Sequence, residues 1–109
     1  MKIYTYQGCS NCKSATKWLK ARGISFQEIP IRETPPTLSE LTAMLKAHEG
    51  QLRALFNTSG QDYRALGMKD KLPLMTEAEA LKLLSQHGNL VKRPFVIAED
   101  KPIYLLGFH

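Results

Sequence analysis

Cysteine is scarce in this chain of 109 residues: the sequence has only two, and both lie in the segment Cys9-Ser10-Asn11-Cys12. Small secreted domains usually carry four or more cysteines, spread along the chain as a disulfide framework. A disulfide between residues three apart closes too short a loop to stabilise a fold through chain entropy. The pair therefore predicts local chemistry rather than a structural cross-link.

The sequence also has no apolar run approaching the ~20 residues of a membrane span, and its first residues are too polar for a signal peptide. Hydrophobic residues make up 43% and charged residues 23% of the chain, which is typical of a globular protein. The length leaves room for one core. We expect a single domain over residues 1–109 that is cytoplasmic and has no membrane partner.

The chain is basic, with 15 Lys and Arg against 10 Asp and Glu and a net charge of +5. This charge suits an anionic partner, but the basic residues are spread along the sequence. The densest group, Lys13, Lys17, Lys20 and Arg22, has helical spacing and is interpreted as a solvated helix face. Because basic and aromatic residues do not alternate in a contiguous patch, we expect no direct contact with nucleic acid.

Hydrophobic periodicity and turn residues predict strands at 2–6 and 25–31 around a helix at 10–22, then a final strand pair at 95–98 and 103–106. Between these halves a helical insertion spans about 37–88. Four helices are predicted there. The first begins with a capping box at Thr37 and Glu40, and the last begins with a capping box at Thr76 and Glu79 and ends at Gly88. Two short helices, at 51–56 and 61–66, lie between them. The fold class is α/β, with one mixed four-stranded sheet in the order 2-1-3-4.

A Cys-x-x-Cys at the start of the first helix of a strand–helix–strand unit is typical of the thioredoxin superfamily. The reactive species is the thiolate, which the unpaired N–H groups and dipole of a helix N-terminus favour. Lys13 adds a positive charge nearby. We therefore predict Cys9, at the helix cap, as the nucleophile, and Cys12, one turn later, as the thiol that resolves a mixed disulfide formed on Cys9.

Three other interpretations of the pair stay open: half of a zinc site, two buried structural thiols, and an accidental pairing. A zinc site would need further ligands, and neither a second cysteine pair nor suitably spaced histidines exist among His48, His87 and His109. We therefore expect no metal.

Five segments, taken in order, resemble the arsenate reductase/Spx family, and within it the branch of small thiol reductases. They are Cys9-x-x-Cys12, Pro35-Pro36-Thr37, Asn57-Thr58-Ser59-Gly60, Lys92-Arg93-Pro94-Phe95, and Lys101 to Phe108. The resemblance implies a glutaredoxin-like thioredoxin fold with a helical insertion. It also implies that Pro94 follows a cis peptide bond and faces Cys9, whereas the residues alone predict trans, since only about 5–6% of X–Pro bonds are cis.

The arsenate reductases of this family use one helix-cap cysteine and three arginines around the oxyanion. By resemblance Cys9 is the nucleophile and Arg93 is one of these arginines, but Asn57 stands at the second position and residues 104–107 contain no arginine for the third. Efficient arsenate reduction is therefore not expected. Arg53 is either a substitute for the missing charge or an ordinary surface residue.

Two functional hypotheses follow. The first is a thiol-disulfide oxidoreductase that acts on a small thiol or a protein disulfide, without a bound cofactor. Glutathione is the co-substrate that this hypothesis allows, with Arg93 holding its carboxylate. The second is a redox-responsive regulator that binds the RNA polymerase α subunit, as the regulators of the family do. Those regulators continue well beyond the last strand, so the end of this chain at His109 favours the reductase.

Overall fold

The computed structural model describes residues 1–108 and contains one four-stranded sheet. The strands are β1 (Lys2–Thr5), β2 (Gln27–Pro30), β3 (Phe95–Ala98) and β4 (Ile103–Leu106), in the order β2-β1-β3-β4. β1 pairs in parallel with β2 and antiparallel with β3, and β3 pairs antiparallel with β4. The predicted fold class and strand order are confirmed.

Five α-helices accompany the sheet: α1 (Ser10–Ala21), α2 (Leu38–Ala47), α3 (Gln61–Ala65), α4 (Met68–Lys71) and α5 (Glu77–Gln86). Short 3₁₀ helices cover Leu52–Leu55, Leu72–Leu74 and Gly88–Leu90. Helices α2 to α5 form the insertion between β2 and β3, as predicted. None of the helices in residues 1–108 is long and apolar enough to cross a membrane, and His109 lies outside the described residues.

The two faces of the sheet bury side chains of alternating positions, as a strand period of two requires. Ile3 and Val96 point to one face, where they pack with Ala15 and Leu19 of α1. The opposite face is covered by the insertion, in a larger cluster that includes Tyr4, Phe95, Leu41, Leu84 and Leu90. The sheet thus lies between α1 on one side and the insertion on the other.

A buried carboxylate joins the insertion to the central strand. Glu40 completes the capping box of α2 with Thr37, accepts a hydrogen bond from the Tyr4 hydroxyl, and pairs with Lys2 at 3.1 Å. Burial raises the pKa of the Tyr4 hydroxyl well above its ordinary value, and the Glu40 carboxylate raises it further, so Tyr4 stays a donor. This contact fixes the start of α2 against β1.

The structure differs from the sequence prediction mainly within the insertion and at β2. The strand predicted at 25–31 is shorter, and the helix predicted at 51–56 is 3₁₀ rather than α. Helix α4 and the two 3₁₀ helices after it were not predicted, because segments of three or four residues carry too little periodicity.

Gly88 does not end the last helix of the insertion as a cap. Helix α5 ends at Gln86, and His87 is its C-cap. Gly88 instead packs against the chain after β2, where an added Cβ would lie 1.8 Å from the carbonyl oxygen of Ile31. The glycine is therefore required for close approach of two backbone segments.

We predict that Glu40→Ala destabilises the protein much more than Glu79→Ala. Both glutamates complete a capping box, but Glu79 is exposed, whereas removing Glu40 leaves the buried Tyr4 hydroxyl without its acceptor. Loss of a partner for a buried polar group costs about 1–3 kcal/mol. Urea denaturation of the two variants measures the difference in the free energy of unfolding, and equal losses would contradict the role of Glu40.

Comparison of Glu40→Ala with the wild type also gives a pH test. Burial alone would raise the pKa of the Glu40 carboxyl, but hydrogen bonds from Tyr4, Thr37 and Lys2 and the Lys2 charge lower it below its ordinary value of 4.5. The stability that depends on ionised Glu40 is therefore present above about pH 4.5 and is lost as the pH falls through the lowered pKa. The gap between wild type and Glu40→Ala should shrink in acid.

Candidate active site

The two cysteines occupy the first turn of α1, and Cys9 is the N-cap of this helix. Its backbone is extended (φ −97°, ψ 110°), and its Sγ accepts a hydrogen bond from the Cys12 N–H at 3.1 Å. A sulfur here takes the place of the side-chain oxygen that usually caps a helix. The first turn carries no acidic residue. A thiolate on Cys9 would thus gain a backbone donor and the favourable end of the helix dipole.

The two cysteines differ in exposure to solvent. Cys9 is half-buried, whereas Cys12 is 2% exposed and belongs to the core under the helix. The pair is joined as a disulfide, with the Cα atoms 5.2 Å apart, within the usual range for such bonds. Cys9 is therefore the more accessible of the two cysteines, and Cys12 lies within bonding reach of it.

The turn between β1 and α1 depends on Gly8. A Cβ at this position would lie 2.9 Å from the ring of Tyr6. The Cys9 N–H donates to the Tyr6 carbonyl at 3.0 Å, which closes the turn. Glycine therefore lets the Tyr6 ring lie against the backbone that leads to the nucleophile.

Arg93 and Pro94 enter β3 beside this turn. The Arg93–Pro94 peptide bond is cis, as the resemblance implied and contrary to what the residues alone predict. Pro94 is buried, and its carbonyl accepts a hydrogen bond from the Gly107 N–H at 2.9 Å. The Arg93 guanidinium lies over the Tyr6 ring, 4.7 Å from its centre. The end of β1 and the start of β3 thus share one surface.

Asn57 joins this surface through a contact that the sequence did not predict. An isolated antiparallel bridge links Phe56 to Val91, and the Asn57 N–H donates to the Leu90 carbonyl at 2.7 Å. This pairing places Asn57 and Arg93 on the wall of the same cavity, which has a volume of about 630 Å³. Tyr6 and Arg32, which sequence reasoning missed, line it as well.

The other basic candidates do not line this cavity. Lys13 is exposed in the first turn of α1, and its N–H donates to the Cys9 carbonyl at 3.2 Å. Lys17, Lys20 and Arg22 are also exposed, as expected of a solvated face. Arg53 is exposed and lines two cavities that do not include Arg93, so it does not replace a missing arginine beside Arg93.

No group of three or more His, Cys, Asp or Glu side chains within residues 1–108 is arranged to hold a metal ion. The Arg93 guanidinium instead contributes a partly buried positive charge to the cavity that Asn57 also lines. Burial lowers the pKa of the Arg93 guanidinium, and the charge of Arg32 acts in the same direction, whereas Tyr6 and Asp62 oppose it.

Comparison with known proteins defines the class. A model of the ArsC family matches residues 4–109, so the chain belongs to the ArsC family, and the predicted resemblance is confirmed. Family membership and the paired cysteines together support a thiol-based redox function.

Two curated relatives and one solved structure are similar over most of their length. The uncharacterized protein YusI of Bacillus subtilis (strain 168) is 42% identical over 101 residues, 93% of this chain and 86% of YusI. The global transcriptional regulator Spx of Enterococcus faecalis (strain ATCC 700802 / V583) is 30% identical over 102 residues, 93% of this chain and 75% of that protein. The crystal structure of a possible arsenate reductase from Streptococcus mutans UA159 has a TM-score of 0.91 and 38% identity, and the match covers 99% of this chain and 90% of that one.

We predict that Cys9 is alkylated much faster than Cys12 in the reduced protein. Iodoacetamide reacts with thiolates. Cys9 is partly exposed to solvent and its sulfur accepts a hydrogen bond from the Cys12 N–H, whereas Cys12 is buried. Peptide mapping after a short pulse identifies the modified residue. The pH dependence of the rate should have its midpoint below the ordinary thiol pKa of ~8.5, and faster labelling of Cys12 would contradict the assignment of the nucleophile.

Proposed function

We propose that the protein is a thiol-disulfide oxidoreductase that uses Cys9 as nucleophile and Cys12 as resolving thiol. The observation that carries the proposal is the difference between the two cysteines at the helix cap. Cys9 is partly exposed and its sulfur accepts a backbone N–H, whereas Cys12 is buried and close enough to bond with it. We propose the cytoplasm as its compartment and a small thiol or a protein disulfide as its substrate.

The reductive half of the cycle needs only these two residues. The Cys9 thiolate attacks one sulfur of the substrate disulfide, and the other substrate sulfur leaves as a thiolate and takes up a proton. Cys12 then loses its proton and attacks the Cys9 sulfur of the mixed disulfide. The second substrate sulfur leaves as a thiolate and takes up a proton, so the two electrons lost by the protein are now on the two substrate thiols and the protein carries the Cys9–Cys12 disulfide.

Glutathione is the co-substrate that we propose for the return half of the cycle. One glutathione thiolate attacks the Cys9 sulfur and releases the Cys12 thiol. A second glutathione attacks the mixed disulfide and leaves as oxidised glutathione, which restores the dithiol. In this proposal Arg93 binds a carboxylate bidentately, Lys13 contributes positive charge, and Asn57 and Pro94 shape the surface beside the turn. The shared cavity of Arg93 and Asn57 supports the first and third of these roles.

A second candidate is a redox-responsive regulator that binds the RNA polymerase α subunit. The similarity to the Enterococcus faecalis regulator favours it, since the match covers 75% of that protein. Arsenate reduction is not proposed, because Asn57 stands where the family's second arginine is expected and residues 104–107 contain no third.

An assay of disulfide turnover tests the proposal. Wild-type protein should reduce a glutathione mixed disulfide of a model peptide when glutathione and glutathione reductase are supplied, and Cys9→Ser should abolish turnover. Ser10→Ala, in the same helical turn, is the matched control and should retain most of the rate. Absence of Cys9-dependent turnover, combined with redox-dependent binding to the polymerase α subunit, would overturn the oxidoreductase and favour the regulator.

A further inference from the structure

The cavity beside Arg93 is unusually rich in cations. Three arginines line it, Arg32, Arg64 and Arg93, and its one carboxylate, Asp62, accepts a hydrogen bond from Asn89 at 3.1 Å. None of the three arginines forms an ion pair with a carboxylate of residues 1–108. The wall of the cavity therefore carries a net positive charge that the described part of the chain does not neutralise.

One donor in this wall has no hydrogen-bond partner. The Nη1 atom of Arg93 is buried and makes no hydrogen bond within residues 1–108. A buried donor that belongs to a charged group is costly to leave unpaired. Burial also lowers the pKa of Arg93, which agrees with a guanidinium that is partly removed from water. An anion within reach of Nη1 would remove this cost.

Tyr6 holds two of the arginines together. Arg93 and Arg32 lie over its ring, at 4.7 and 5.3 Å from the ring centre, and Arg32 Nη1 donates to the Tyr6 hydroxyl at 3.3 Å. Two guanidinium groups around one ring repel each other, yet each gains from the ring face. The tyrosine thereby brings two planar cations close enough to contact one ligand.

The same tyrosine also lines a second cavity, which extends toward the turn before Cys9. A neighbouring cavity of about 550 Å³ is lined by Tyr6, Arg32 and Gly8, the residue that precedes Cys9. Tyr6 and Arg32 line both cavities. A ligand that extends past Tyr6 would therefore have its anionic end among the arginines and its other end toward the Cys9 turn.

We propose that this cavity binds the carboxylate end of a small anionic thiol, with Arg32 and Arg64 as specificity-determining residues beside Arg93. The inference rests on the proposed oxidoreductase function and defines the substrate class of the same site. Planar guanidinium groups match a carboxylate bidentately, and the polar wall at Asn57 and Ser59 suits a peptide-like ligand better than an apolar one.

Binding of S-methylglutathione, which cannot form a disulfide, tests the inference without turnover. Titrations followed by NMR should show a shift of the Arg93 side-chain N–H signal in wild type. Arg32→Gln and Arg64→Gln should each weaken binding, by roughly tenfold for a lost charge-assisted hydrogen bond. The matched control is Arg22→Gln, which removes an exposed arginine that lies over the Trp18 ring, 3.8 Å from its centre, and should leave binding unchanged.

Two further ligands identify the recognised group. The diethyl ester of S-methylglutathione lacks the carboxylate charges and should bind much more weakly than the acid. Sulfate represents a free inorganic oxyanion and should bind more weakly than S-methylglutathione. Equal binding of ester and acid, tighter binding of sulfate, or unchanged affinity in Arg32→Gln and Arg64→Gln would each overturn the inference. Cys9-dependent turnover would survive any of these results, so failure of the inference is distinct from failure of the proposed function.

Discussion

The antiparallel pairing of β1 with β3 is the constraint on which the rest of the site depends. Tyr4 pairs with Phe95 in this register, and their rings meet edge to face with centres 5.6 Å apart. Because the strands run in opposite directions, the end of β1 lies beside the start of β3. The turn that carries Cys9 and the cis bond at Arg93–Pro94 are therefore neighbours, although 84 positions separate them in the sequence.

The same pairing explains why the insertion can contribute to the site. Tyr4 also donates to Glu40, which fixes α2 on the sheet, and the bridge between Phe56 and Val91 returns the insertion to the chain just ahead of Arg93. The insertion thus covers one face of the sheet and supplies one wall of the cavity that Arg32, Arg64 and Arg93 line. Packing and ligand binding share the same contacts, so disruption of the core should also disturb the site.

Several features could be predicted because their determinants are local. The bounds of β3 and β4 follow from two apolar segments around a polar turn, and both capping boxes follow from residues three apart. The position of Cys9 at a helix cap follows from the turn before it. These signals need no knowledge of distant parts of the chain.

The cavity beside Arg93 could not be predicted in the same way, because long-range contacts bring its residues together. Arg32 follows β2, Arg64 belongs to a helix of five residues, and Arg93 precedes β3, so no spacing in the sequence relates them. Tyr6 had a weaker signal: continuing the register of β1 and β3 outward by two residues places it opposite Arg93. The resemblance was needed for the cis bond, since an arginine before a proline does not reveal the isomer.

Trapping of the mixed disulfide tests the central claim, the division of roles between Cys9 and Cys12, most directly. Reduced Cys12→Ser protein treated with oxidised glutathione should accumulate one glutathione adduct per chain, on Cys9, and intact-mass spectrometry with peptide mapping would detect it. Reduced wild-type protein should release this adduct as Cys12 attacks, leaving the Cys9–Cys12 disulfide. Failure of Cys12→Ser to form the adduct, or equally fast adduct formation on Cys12 in Cys9→Ser protein, would contradict the account.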